Sequence, residues 1–155
     1  MEKYYIPTIE EFHIGFEYET HEWSRDERGD PEQNYDKWVT YTVNQAKLEF
    51  IGKYGIRELR VKYLDRKDIE SLGFHLDGDE TYSPFADKYV REDKEHSNIL
   101  YLFFNEENHH VLLAMNDYAR AKMSDGDYKK VVLYRGIVKN LTQLKKVIKD
   151  TKYYQ

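Results

Sequence analysis

Apolar and polar positions alternate with a period of two along most of this chain, and a period near 3.6 surfaces only in short stretches. Between His13 and Trp23, the side chains of Ile14, Phe16 and Tyr18 fall on one side and those of Glu17, Glu19 and His21 on the other. That pattern predicts a half-buried strand. Trp38–Val43 repeats it and is the expected hairpin partner, across a polar loop at Ser24–Asn34 that contains Gly29 and Pro31. Leu59, Val61 and Tyr63 alternate with Glu58, Arg60 and Lys62 to give a third strand, and Gly73–Leu76 and Lys88–Val90 read as short ones. Three later segments, Ile99–Phe104, Val111–Met115 and Val131–Val138, are apolar on both faces. Strands of that kind belong in the middle of a sheet covered on both sides.

Helical signals are fewer. Thr8 followed by Glu11 has the form of a capping box and predicts a short helical turn. Residues 44–54 stay open between a helix capped by Asn44 and a strand that alternates Ala46, Leu48 and Phe50. Asp65–Gly73 opens on an acid and closes on a glycine, the marks of a helix of one or two turns. Asn140 caps a closing amphipathic helix in which Leu141, Leu144, Ile148 and Thr151 share a side and Lys145, Lys146, Lys149 and Lys152 take the rest. The expected architecture is α+β, a mainly antiparallel curled sheet of about six or seven strands. A short central helix and an amphipathic C-terminal helix complete it, in one domain over residues 1–155. Two helices cover little of such a sheet, so a homo-oligomer that buries the open face is expected.

Composition narrows the class. The 155 residues contain no cysteine, which excludes disulfides and thiolate chemistry. Met1–Pro7 lacks the basic-then-apolar stretch of a secretion signal, and no apolar run is long enough to span a membrane. A cytoplasmic location is the default expectation. The net charge of −5 hides an asymmetry: residues 1–36 hold eleven acids against three bases, net −8, and residues 126–152 hold eight bases against two acids, net +6. General nucleic-acid binding is disfavoured by the acidic whole, while the basic end suits an anion.

No glycine-rich dinucleotide loop, phosphate loop, HExxH or GxSxG is present, so no catalytic residue, metal ligand or cofactor is assigned. His13, Glu17, Glu19 and His21 on the polar side of the first strand form the best metal candidate, in which Glu19 and His21, two apart, could grip one ion, but a solvated strand face is the preferred account of them. His109 and His110 are adjacent and point apart on a continuing strand; they read as a hairpin tip. Asp77–Glu80 and Asp125–Asp127 lack calcium-loop spacing and read as turns. The basic end carries the sharper hypothesis. Arg135 lies in an apolar strand, Lys139 follows it, and the amides after Asn140 begin a helix, so these three are the candidate ligand-binding residues for a phosphate or carboxylate. The competing account pairs Arg135 with an acid from the N-terminal third.

Tyr63-Leu64-Asp65, Asp68–Phe74, Gly136–Asn140 and Leu144-Lys145-Lys146 resemble segments of small uncharacterised proteins encoded by phages of gut bacteria. The resemblance implies a phage accessory role and brings no catalytic residues with it. Together these features point to a non-enzymatic binding module that sequesters a small anionic ligand, such as a signalling nucleotide, to counter host defence. A virion or protein-interaction component is the alternative, and a hydrolase with a dispersed active site the second alternative.

Overall fold

The computed structural model describes residues 3–25, 27–28, 31–54, 58–78, 86–93, 98–116 and 130–151. The chain divides into two compact units, Met1–Tyr63 and Leu64–Gln155. The fold class is α+β and mainly antiparallel, with nine strands and three helices among the described residues. The strands form two sheets, of four and five, instead of one continuous sheet. Two of the strands are only two residues long: one falls within the expected Gly73–Leu76 strand, and the other, Tyr4–Tyr5, is too short for any period to reveal.

In the N-terminal unit, β1 (Tyr4–Tyr5) is followed by a 3-10 turn over Ile9–Glu11, where the Glu11 carboxylate accepts the Thr8 amide at 3.4 Å. The first long strand, β2 (Glu17–Arg25), starts later than the alternation suggests. The Phe16 amide instead closes a turn on the His13 carbonyl at 3.0 Å, and Gly15 takes φ +90° there. Ile14 is consequently exposed, at 62%, while Phe16 and Tyr18 are buried. β3 (Pro31–Thr42) is the hairpin partner and is far longer than Trp38–Val43, because the pairing continues to Arg25 opposite Pro31. The expected loop is therefore strand at both ends, and residues 26, 29 and 30 of it lie outside the described residues. Pairing shifts between His21 and Glu22, so that Trp38 opposes His21 but Asn34 opposes Glu22, and Tyr35–Lys37 bulge from the ladder. Residues 45–54 resolve as α1 (Gln45–Tyr54), because the Asn44 side chain accepts the Lys47 amide at 2.9 Å and caps it. β4 (Leu59–Lys62) completes the sheet, in the order β1-β4-β2-β3. Phe12, Phe16, Tyr18, Val43, Ile51 and Val61 form its core.

The C-terminal unit opens on α2 (Arg66–Ser71), where the Asp65 carboxylate accepts the Asp68 amide at 2.9 Å and Asp68 returns the bond at 3.2 Å. Gly73, with φ +83°, ends it in a conformation that other residues adopt at a cost. β5 (His75–Leu76), β6 (Asp87–Asp93), β7 (Asn98–Asn105), β8 (His110–Asn116) and β9 (Lys130–Ile137) then form an antiparallel sheet in sequence order. Residues 79 and 80 of the turn expected at Asp77–Glu80, and the whole of the one expected at Asp125–Asp127, lie outside the described residues. One face buries Leu100, Leu102 and Phe104 of β7 against Val111, Leu113 and Met115 of β8. Ile69 of α2 and Leu144 and Ile148 of α3 (Leu141–Thr151) close that core. β7 and β8 occupy the interior of the sheet, as doubly apolar strands should. The third such segment does not: among the described residues β9 is an edge strand, where Val132 and Ile137 are 56% and 62% exposed.

Candidate functional site

The three residues singled out at the basic end take different roles. Arg135 is exposed on β9, opposite Leu112, and its guanidinium makes no ion pair or hydrogen bond among the described residues. The acid partner of the competing account is absent among the described residues. Val132, opposite Ala114, and Ile137, opposite His110, project from the same face as Arg135, since successive partners on β8 alternate by two. Asn140 is buried, and its side-chain oxygen accepts the Gln143 amide at 2.9 Å as the cap of α3. The Lys139 amide donates to the Gln143 side chain at 2.8 Å, and its carbonyl accepts the Leu64 amide at 2.7 Å. The amide groups that an anion would need are thus partly committed to the chain itself. β9 ends at Ile137, so the shared-face relation of a continuous strand does not carry from Arg135 to Lys139.

Lys139 instead acts on the β7–β8 turn. His109, at φ 55°, accepts the Val138 amide on its carbonyl at 2.9 Å and packs against Phe104. Burial pushes its imidazole below the usual histidine range; Glu106 partly offsets this, and the Lys139 ammonium adds to the lowering. His110 begins β8 and pairs with Ile137, so the two adjacent histidines sit in different environments, as a hairpin tip predicts.

The more elaborate constellation lies on the polar face of the N-terminal sheet. Glu19 on β2 stands opposite Arg60 on β4, and the Arg60 Nε donates to the Glu19 carboxylate at 2.8 Å. The Arg60 guanidinium carbon sits 3.9 Å from the Tyr4 ring centroid and 3.9 Å from that of Trp38. Trp38 also receives His21, its cross-strand partner, with ring centroids 4.0 Å apart. Tyr35, displaced by the bulge, is the other ring contact of His21, with centroids 5.2 Å apart, and remains 61% exposed. His21 itself is only 9% exposed, and its Nδ1 is buried without a hydrogen-bond partner. The Glu19–His21 metal pair of the sequence is therefore not assembled: the carboxylate is bound to Arg60 and the imidazole is packed among aromatic rings. Among the described residues, no group of three His, Asp or Glu gathers in a way that could hold an ion.

The alternation places Glu19, His21 and Arg60 on polar strand faces, but it cannot show that they share one face, because Glu19 and Arg60 are 41 residues apart. Tyr35 is harder still to find, since its position depends on a bulge. No family model, no curated protein and no solved structure matches this chain.

Proposed function

We propose that this chain is a non-enzymatic binding module whose edge strand β9 docks an acidic, extended segment of a partner. The observation that carries the reading is Arg135. It is an exposed guanidinium without an ion pair among the described residues, flanked by two exposed apolar side chains on the rim of a sheet. An edge strand offers backbone N–H and C=O groups to an incoming strand, and pendant side chains supply selectivity. Arginine at such a rim favours a carboxylate, and Val132 and Ile137 favour apolar residues alternating with it. Eight bases against two acids over residues 126–152 point the same way. The resemblance to phage proteins supports an accessory role for such a module, either in a virion or against host defence.

Capture of a small anionic ligand, such as a signalling nucleotide, is the second reading. It is favoured by the positive charge of Lys139 at the head of α3, close enough to lower the basicity of His109. Fluorescence anisotropy with a labelled ten-residue peptide of alternating valine and aspartate tests the first, and isothermal titration with nucleotides tests the second. Arg135→Gln is expected to weaken peptide binding about tenfold, the scale of one charge-assisted hydrogen bond. It should leave the melting temperature essentially unchanged, since an exposed side chain without partners contributes little. Equal affinity for the variant, or equal binding of a valine–lysine peptide, refutes the docking edge; nucleotide binding that Arg135→Gln abolishes moves the assignment to the second reading.

A further inference from the structure

We propose that the polar face of the N-terminal sheet carries a second, separate anion receptor, built on Arg60 and taking a carboxylate or phosphate group. A surface arginine is normally mobile and hydrated, and ordering it costs conformational entropy. Here that cost is met within the fold. Tyr4 and Trp38 each hold the guanidinium at 3.9 Å, and Glu19 fixes the Nε edge at 2.8 Å. The Glu19 contact engages Nε alone, and among the described residues the guanidinium has no further hydrogen bond, which leaves both terminal amino groups for a ligand. The Arg60 side chain is 29% exposed, which leaves an approach for a ligand while most of the group is already withdrawn from water. A planar fork held this way presents two parallel N–H donors, the arrangement that matches the two oxygens of a carboxylate or phosphate.

The second, independent observation is His21. It packs on the same Trp38 ring as Arg60 and is 9% exposed, and its Nδ1 has no partner. A buried nitrogen left without a hydrogen bond is unfavourable, and a ligand oxygen that enters beside Trp38 with a small rotation of the imidazole would supply the missing partner. The three-residue bulge that carries Tyr35 over His21 interrupts an otherwise continuous ladder, and bulges of this kind commonly re-aim side chains at binding sites. Glu19 offsets part of the arginine charge, so affinity for a bare oxyanion is expected to be modest. A ligand with a flat ring beside its anionic group gains further by stacking on the exposed Tyr35.

The test is an NMR titration of the intact chain, following the Trp38 indole N–H and the Arg60 Nε–H signals with acetate, inorganic phosphate and adenosine monophosphate. A saturable shift of both signals with acetate or phosphate is expected. Tighter binding of the monophosphate than of inorganic phosphate identifies a nucleotide-like ligand, and equal binding identifies the oxyanion alone. Arg60→Lys keeps the positive charge but loses the fork, and should weaken binding about tenfold. Glu19→Gln removes the competing carboxylate and should tighten it. Absence of a saturable shift in the wild type overturns the proposal, as does undiminished binding by a folded Arg60→Lys variant. Arg135→Gln should leave these shifts unaltered, which separates this receptor from the docking edge on β9.

Discussion

His109 and Tyr89 give the pH dependence of stability two flanks of opposite sign. Burial lowers the His109 pKa from its ordinary 6.5, so the folded state prefers the neutral imidazole. The stability contributed there is complete above 6.5 and is lost as the pH falls below it. Tyr89, fully buried, has its phenol pushed up to about 12, by burial first and by the Asp87 carboxylate next. The folded state therefore prefers the neutral phenol, and this contribution is complete below the ordinary 10.0 and lost as the pH climbs towards 12. Urea titrations across pH should show both declines. His109→Asn should flatten the acid side alone, since asparagine tolerates φ 55° and does not titrate. Tyr89→Phe should flatten the alkaline side alone, since it keeps the ring and removes the ionising group. Unchanged profiles in both variants contradict these assignments. Neither residue stands out in the sequence. His109 looks like any polar turn residue, and Tyr89 is one of fifteen tyrosines until the sheet register turns it inward.

Helix ends were the most legible elements, because the chemistry that sets them spans three or four residues. Thr8, Asp65, Gly73 and Asn140 each mark a boundary that the backbone honours, and Asn44 decides the one segment whose periodicity was ambiguous. Asn140→Ala should cost about 0.5–2 kcal/mol through loss of the Gln143 amide bond. Leu144→Ala one turn later should cost about 2–5 kcal/mol, because Leu144 is fully buried under the five-stranded sheet. Denaturant midpoints with an unchanged slope check both. A larger loss for the cap than for the core leucine would mean that α3 is held by its start and not by its packing. Strand existence was nearly as readable as the helix ends, since alternation is local too. Strand order was not. Nothing within Val131–Val138 says that it borders the sheet, and the same apolar run in β7 or β8 lies inside. The candidate sites inherit this limit. Arg135 was visible as a charge in an apolar strand, whereas the Tyr4–Arg60–Trp38 stack exists only once β1, β4 and β3 are placed around β2.

Charge and exposed apolar surface combine at the scale of the whole molecule to predict self-association. Residues 1–36 carry −8 and residues 126–152 carry +6, so one copy offers another both an acidic segment and a basic one. β9 adds Val132 and Ile137, 56% and 62% exposed, beside an arginine without an ion pair among the described residues. Pairing of β9 with β9 of a second copy would bring basic residues together, and like charges across a strand pair are unfavourable. The acidic third of a second copy is the better complement, and contacts of that kind are heterologous and sensitive to salt. Light scattering at low ionic strength should therefore give a mass of at least twice the 18.8 kDa of the chain. Raising the salt to about 0.5 M should lower it towards that value, because the screening length then falls to a few ångströms. Arg135→Glu reverses the charge at the centre of the exposed strand and should have the effect of salt at low ionic strength. A mass of 18.8 kDa across a wide concentration range at low salt would refute self-association and leave β9 to a partner of different sequence.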